Sequence, residues 1–272
     1  MCARLANNLQ QVVDIAIDAG REILEVYASE FEVETKADGS PLTQADRRAH
    51  ELIHKRLRQL DPDIPVLSEE SGAKAFARRR EWNRFWLVDP LDGTKGFVKR
   101  NDEFTVNIAL IEGNSPMMGV VHAPVTGVSY YTVAGARAFK VGAERKPVPI
   151  RVKKFNREKA IMVASHSHIS AVVEAYRARL ADKAEQVEIV SLGSALKICL
   201  VAEGLVDIYP RLGPTSEWDT AAAHCVLESA GGSVTTLSGA TLQYNKESLL
   251  NPWFLAGGDP EFDWTALAHG LE

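Results

Sequence analysis

This chain should fold as an α/β protein, an α+β sandwich in two parts. Three features point there. Two long amphipathic patterns lead the chain, and a cluster of short apolar runs separated by Gly-containing turns follows them. Beyond about Pro149, strand-like runs alternate with helix-like ones. Helices that cover clustered strands, followed by a βα alternation, describe layered α/β architecture.

Each element has its reason. Leu5, Leu9, Val12, Ala16, Gly20, Ile23 and Tyr27 recur at three- and four-residue steps, so a helix is expected from about Ala3 to Phe31. Lys36–Pro41 reads as a loop. A second helix should run from about Thr43 to Leu60, with Ala45, Ala49, Leu52, Ile53 and Leu57 on one face and Asp46 in its first turn. After the turn Asp61-Pro-Asp63, a short apolar run places Glu69 and Glu70 at a strand end. Phe85–Val88 reads as a buried strand that should stop at Pro90, which cannot donate to a sheet ladder. Phe104–Ile111, Met117–His122, Val128–Val133 and Ala138–Val141 read as an antiparallel meander. Ala160–Ser165, Val187–Ser191 and Val206–Tyr209 are then strands. They alternate with helices expected over His168–Asp182, Ser194–Glu203, Trp218–Ala230 and Glu261–Leu271. The pattern changes near Lys146-Pro-Val-Pro149, which divides the chain into 1–149 and 150–272.

Composition narrows the function. The 272 residues are 46% hydrophobic and 25% charged, enough for one large or two smaller cores. A net charge of -5 gives no footprint for a nucleic-acid polymer, whereas a small nucleotide needs only a local basic patch. Cys2, Cys199 and Cys225 are odd in number and form no Cys-x-x-Cys pair, so a reducing cytoplasm fits and a disulfide framework does not. No apolar run approaches the length of a membrane span. Polar residues interrupt the first apolar pattern, so no signal-peptide core is expected.

The chemistry gathers at Asp89-Pro-Leu-Asp-Gly-Thr94. Two carboxylates follow an apolar strand at the end where open α/β sheets place ligands. Gly93 lets the backbone approach a bound group closely. A helix beginning near Thr94 would aim its free N–H groups at an anion. Carboxylates beside a phosphate cradle suit Mg²⁺, which commonly takes one or two carboxylates plus substrate phosphate. Asp-Pro and Asp-Gly are also ordinary turn signals. An aspartyl nucleophile of the Asp-x-Asp-Gly-Thr kind would fall on Pro90, so metal-activated water is the better expectation. Glu69, Glu70 and Asp219 supply further acids, although an Asp in the first turn of a helix also serves its dipole. Ser165, His166 and His168 follow a strand and would meet phosphate there; a solvated helix start is the plainer alternative for the histidines.

The order and spacing of these segments carry a family likeness. Gly39-Ser-Pro-Leu-Thr-Gln-Ala-Asp46, Ser68-Glu-Glu70, Asp89-Pro-Leu-Asp-Gly-Thr94 and Trp218-Asp219 closely resemble the magnesium-dependent, lithium-sensitive inositol monophosphatase superfamily over essentially the whole chain. Three further segments look most like its bacterial 3'(2'),5'-bisphosphate nucleotidases. These are Lys95 with Lys99-Arg-Asn-Asp-Glu-Phe-Thr-Val-Asn-Ile-Ala-Leu110, Gly193-Ser-Ala-Leu-Lys197, and Tyr209-Pro-Arg-Leu-Gly-Pro-Thr215.

The resemblance implies a layered α/β/α/β/α sandwich with the site between the halves and two or three Mg²⁺ ions. It implies that Asp89 bridges two ions, that Glu69 and the Leu91 carbonyl complete one site, and that Asp92 and Asp219 hold the other. Asp46 and Thr94 would orient the attacking water, with Glu70 standing behind Glu69. Gly93, Thr94 and Lys95 would hold phosphate. Where the inositol enzymes carry a Glu for inositol hydroxyls, Arg211 stands here, and a guanidinium suits a second phosphate. Lys197, one helical turn from Gly193 and Ser194, would join it. The implied reaction converts 3'-phosphoadenosine 5'-phosphate to AMP and phosphate in sulfur assimilation. The alternatives are an inositol-phosphate or sugar-bisphosphate phosphatase, or a catalytically silent metal-dependent sensor. Bacterial relatives associate peripherally with the cytoplasmic face of the inner membrane, but no basic amphipathic anchor shows this here. Two residues depart from the pattern. Gly96 stands where many nucleotidases carry an acid, and Ala223 where Gly is frequent.

Overall fold

The computed structural model describes residues 2–36, 39, 41–71, 76–142, 144, 146–165 and 170–271. Helix α1 (Cys2–Tyr27) leads, and a ribbon of β1 (Val33–Thr35) and β2 (Pro41–Thr43) joins it to α2 (Gln44–Leu60). α1 stops short of Phe31, where the Arg100 guanidinium caps the carbonyls of Tyr27 and Ser29. The two helices bury Val12, Ala16, Ile23, Ala49, Ile53 and Leu57 against one face of a large sheet.

That sheet has seven strands in chain order. They are β3 (Val66–Ser68), β4 (Arg84–Asp92), β5 (Thr105–Glu112), β6 (Ser115–Ala123), β7 (Val128–Val133), β8 (Phe139–Val141) and β9 (Val148–Pro149), with the short helix α3 (Phe76–Arg79) before β4. β3 pairs parallel with β4, and the rest is the expected antiparallel meander. Side chains alternate between the faces. Trp86, Val88, Ile108 and Leu110 face α1 and α2, whereas Phe85, Leu87, Ala109 and Ile111 face the opposite way. Both faces are covered, which is why these strands read as continuous apolar runs.

β4 does not stop at Pro90. It continues to Asp92 through a shift of register between Asp89 and Asp92. A bulge leaves its extra residue unpaired, so proline is tolerated there without the loss of a ladder bond. Helix α4 (Thr94–Val98) follows at once.

The second sheet has five strands in the order β11-β10-β12-β14-β13. These are β10 (Lys159–Ala164), β11 (Gln186–Ser191), β12 (Ile208–Arg211), β13 (Ser233–Thr236) and β14 (Phe254–Gly257), with helices α5 (Ala171–Ala181), α6 (Leu196–Ala202) and α7 (Glu217–Ser229). α6 and α7 lie between the two sheets, where Ile198, Ala222 and Val226 share a core with Leu87, Ala109, Val163 and Phe254. α5 covers the outer face with Tyr176 and Leu180 against Met162, Ile208, Trp264 and Leu267. The result is the α/β/α/β/α sandwich.

The helix expected over 261–271 is absent. A single 3₁₀ turn, Thr265–Ala268, stands there. Asp263 accepts the N–H groups of Thr265 and Ala266 with its side chain, and this local turn competes with helix formation. Among the described residues no helix is long and apolar enough to cross a membrane.

Candidate metal centre and substrate cleft

Three carboxylates converge where the bulged end of β4 meets the first turn of α7. Asp89, Asp92 and Asp219 place ligand oxygens within 4.8 Å of one another. Each commits one oxygen to a backbone N–H, which fixes the aim of the other. Asp89 accepts from Leu91 at 3.0 Å, Asp92 from Ala195 at 2.6 Å, and Asp219 from Ser216 at 2.8 Å. The buried Asn107 amide also donates to Asp92 at 3.3 Å.

The cost of this crowding shows in their acidity. Burial, then the charges of Glu69, Asp92 and Asp219, raises the Asp89 pKa well above the ordinary carboxylate range. Burial and the Asp92 charge push Asp219 up to about 8. Burial also raises Asp92, against the pull of Lys197. Clustered hard oxygen donors with excess negative charge fit a divalent cation such as Mg²⁺, which would relieve the repulsion.

Glu69 and Glu70 form a 3₁₀ turn directly after β3. Glu69 is in side-chain contact with Asp89. The Lys36 ammonium bridges the pair, 2.7 Å from Glu69 and 2.5 Å from Glu70. Sequence reasoning missed Lys36, because a lysine in a loop gives no signal of a partner more than thirty residues away.

Asp46 is buried behind the cleft at the third position of α2. One oxygen accepts from the Thr43 N–H at 2.8 Å and the Thr43 hydroxyl at 2.7 Å. The other faces the Thr94 hydroxyl at 3.3 Å, which also lies 3.1 Å from the Leu91 carbonyl. Thr43 was not singled out from the sequence, although Thr-x-x-Asp ahead of an apolar pattern is the mark of a reciprocal helix cap.

Gly93 precedes α4 with φ of 95°, and a Cβ there would meet the Glu103 carbonyl at 3.0 Å. Only glycine suits both constraints. Glu69, Asp89, Leu91, Asp92, Gly93, Thr94, Lys95 and Asp219 line a cavity of about 380 Å³. Ser165, Gly193, Ser194, Lys197 and Arg211 line the same cavity with Tyr209 and Phe254. His166 and His168 lie outside the described residues.

The cationic wall is well braced. Burial lowers the Lys197 pKa to about 8, against the attraction of Asp92. Its ammonium donates to the Ser194 carbonyl at 2.5 Å. Arg211 donates to the Pro214 carbonyl at 2.7 Å, and its buried Nε has no hydrogen-bond partner among the described residues. The Gly193 N–H is engaged by Glu103 at 2.7 Å.

The five-layer sandwich and its acid cluster define a metal-dependent phosphatase, and with residues 5–259 matching the inositol monophosphatase family, the chain belongs to that family. Its relatives narrow the comparison. Over 249 residues it is 47% identical to the 3'(2'),5'-bisphosphate nucleotidase CysQ of Salmonella typhimurium, covering 90% of this chain and 98% of the relative. The CysQ of Haemophilus influenzae is 37% identical over 262 residues, covering 95% of this chain and 96% of the relative. The crystal structure of CysQ from Bacteroides thetaiotaomicron matches with a TM-score of 0.83 at 43% identity, covering 94% of this chain and 98% of that one.

Proposed function

We propose that this protein is a Mg²⁺-dependent 3'(2'),5'-bisphosphate nucleotidase that converts 3'-phosphoadenosine 5'-phosphate to AMP and phosphate in sulfur assimilation. The observation that carries the reading is a single cavity lined by both an acid cluster and cations. Three acids within 4.8 Å of one another share one cavity with Lys197 and Arg211. A ligand with one phosphate to be cleaved and a second to be held fits such a site. The relatives named as nucleotidases support it.

The residues divide the labour across 1–149 and 150–272. Glu69, Asp89 and the Leu91 carbonyl would hold one ion, and Asp89, Asp92 and Asp219 another; a third is the family's upper number. Bound Mg²⁺ supplies Lewis acidity, which neutralises phosphate charge and lowers the pKa of a water. The Thr94 hydroxyl directs its hydrogen bond toward Asp46, so its lone pairs are left to accept a hydrogen bond from the attacking water and orient it. Gly93, Thr94 and Lys95 receive the reacting phosphate at the head of α4. Glu70 shares Lys36 with Glu69 and so fixes that ligand's position. Arg211, Lys197, Ser194 and Ser165 line the part of the cavity that would meet the second phosphate, and Gly193 shapes it. The reaction belongs in a reducing cytoplasm, a setting that the free, buried Cys199 and Cys225 support.

A substrate panel with and without Mg²⁺ tests the reading. The bisphosphate nucleotide should be hydrolysed with the highest kcat/KM, and EDTA should abolish turnover. Preference for an inositol phosphate or a sugar bisphosphate would overturn the nucleotide assignment. Mg²⁺ binding with no turnover of any phosphate ester would make the protein a sensor.

A further inference from the structure

The loop between α4 and β5 is held more tightly than a connection requires. Among the described residues, four non-glycines have left-handed backbone: Arg100 (φ 53°), Asp102 (φ 65°), Ser194 (φ 49°) and Asn245 (φ 60°). Such conformations persist where the surroundings over-determine them, and they gather at functional sites. Three of the four flank one contact, the 2.7 Å hydrogen bond from the Gly193 N–H to Glu103 Oε2.

The outer side of the contact is anchored to α1. Arg100 donates to the Tyr27 and Ser29 carbonyls and lies 5.2 Å from the Tyr27 ring and 5.3 Å from that of Phe31. The Tyr27 hydroxyl donates to Asp102 at 2.7 Å. Asn101 accepts the Glu103 N–H at 3.1 Å. The Asn101 side chain lies over Gly96, where a Cβ would come within 2.5 Å of it. This gives the departure at Gly96 a physical meaning: the missing side chain makes room for the residue that seats Glu103.

The inner side is the turn 193–195. Gly193 has no room for a side chain, since a Cβ would lie 2.9 Å from the Glu103 carbonyl and 3.1 Å from its side chain. The far end of the turn is already fixed, by the Ala195 N–H on Asp92. Between these two anchors, the strained Ser194 presents its carbonyl to the Lys197 ammonium.

We propose that Glu103 is a positioning residue for substrate selection. By accepting the Gly193 N–H it clasps the 193–195 turn, and the clasped turn holds Lys197 where it meets the phosphate that is not cleaved. Glu103 acts through the turn and not on the reacting phosphate. The inference rests on the bisphosphate reading.

The test compares Glu103→Ala, Glu103→Gln, Lys197→Ala and the double variant E103A/K197A in the full-length, Mg²⁺-loaded protein. Glutamine keeps a carbonyl acceptor at the same reach. Loss of a charge-assisted hydrogen bond should raise KM for 3'-phosphoadenosine 5'-phosphate roughly tenfold to a hundredfold in E103A. KM for 3'-AMP and kcat on either substrate should stay near wild type, and E103Q should recover most of the loss. The double variant should lose little beyond K197A alone, because both changes act through one turn. Hydrogen exchange of the Gly193 amide should accelerate in E103A and not in E103Q. Additive losses in the double variant, equal KM changes on both substrates, or unaltered Gly193 exchange would each overturn the proposal. A wild-type enzyme that ignores bisphosphates would instead defeat the functional reading, and Gly193 exchange would still decide whether the clasp exists.

Discussion

Arg211 holds the Pro214 carbonyl with one nitrogen, and its buried Nε beside the cleft has no partner among the described residues. The two facts lead to different outcomes for Arg211→Ala. If the guanidinium reads the second phosphate, kcat/KM for the bisphosphate should fall by about 1.5–3 kcal/mol, or ten- to a hundredfold, with 3'-AMP little changed. Equal losses on both would assign it to loop support. A second titratable residue lies far from the site. His122 is buried with its Nδ1 2.8 Å from the Ser129 hydroxyl, and burial lowers its pKa to about 4. The unfolded side chain titrates near 6.5. Between these values the unfolded state binds the extra proton, so this contribution is full above pH 6.5 and is lost as pH falls toward 4. It amounts to about 3 kcal/mol. His122→Asn should flatten the fall in urea midpoint between pH 7 and pH 4.5; a curve parallel to wild type would refute the assignment. The acids of the site were legible because they crowd into short segments with turn and cap chemistry. Lys36 and Glu103 were not, because their partners, Glu69, Glu70 and Gly193, are remote in sequence and only the fold brings them close.

Helix α7 carries Asp219, and its position over the large sheet depends on one glycine of β6. A Cβ at Gly119 would lie 2.2 Å from the Ala222 carbonyl and 2.9 Å from the Cys225 Cβ. A helix backbone cannot yield at that distance, so the whole element must move. Gly119→Ala should destabilise the protein by about 1–3 kcal/mol, as overpacking does, and weaken Mg²⁺ binding through displacement of Asp219. A calorimetric titration identical to wild type would show that α7 and the site are independent. Long elements were readable before the structure, because α1, α2 and the meander carry several periods of their pattern. β13 and β14, four residues each, were missed. The overrun of β4 past Pro90 was hidden because a bulge is decided by the partner strand and not by the proline alone.

The core joins both parts of the chain. Phe85 and Leu87 share one cluster with Ala222, Val226 and Phe254, so a boundary at residue 149 marks a change of pattern in the sequence and not a gap in packing. That continuity could not be read from the alternation of elements, which orders strands but does not say which sheet α7 covers. The two sheets and the sequence of layers, by contrast, follow from the pattern and the family likeness together.

Asp92 and Asp219 lie 127 positions apart in the chain (219 − 92), yet they share one cluster. Closing so long a loop is entropically slow, and the contact belongs among the last to form. A ligand that needs both carboxylates has little to grip in the transition state. Mg²⁺ at a hundredfold excess over its Kd stabilises the native state by about 2.7 kcal/mol, and that gain should fall on the unfolding rate. Chevron plots in Mg²⁺ and in EDTA should share a refolding limb and differ by about a hundredfold in the unfolding limb. In Asp89→Asn, which should also abolish turnover, the limbs should coincide. The ion would then act less as a folding template than as a lock on the finished molecule, setting its lifetime rather than its rate of assembly.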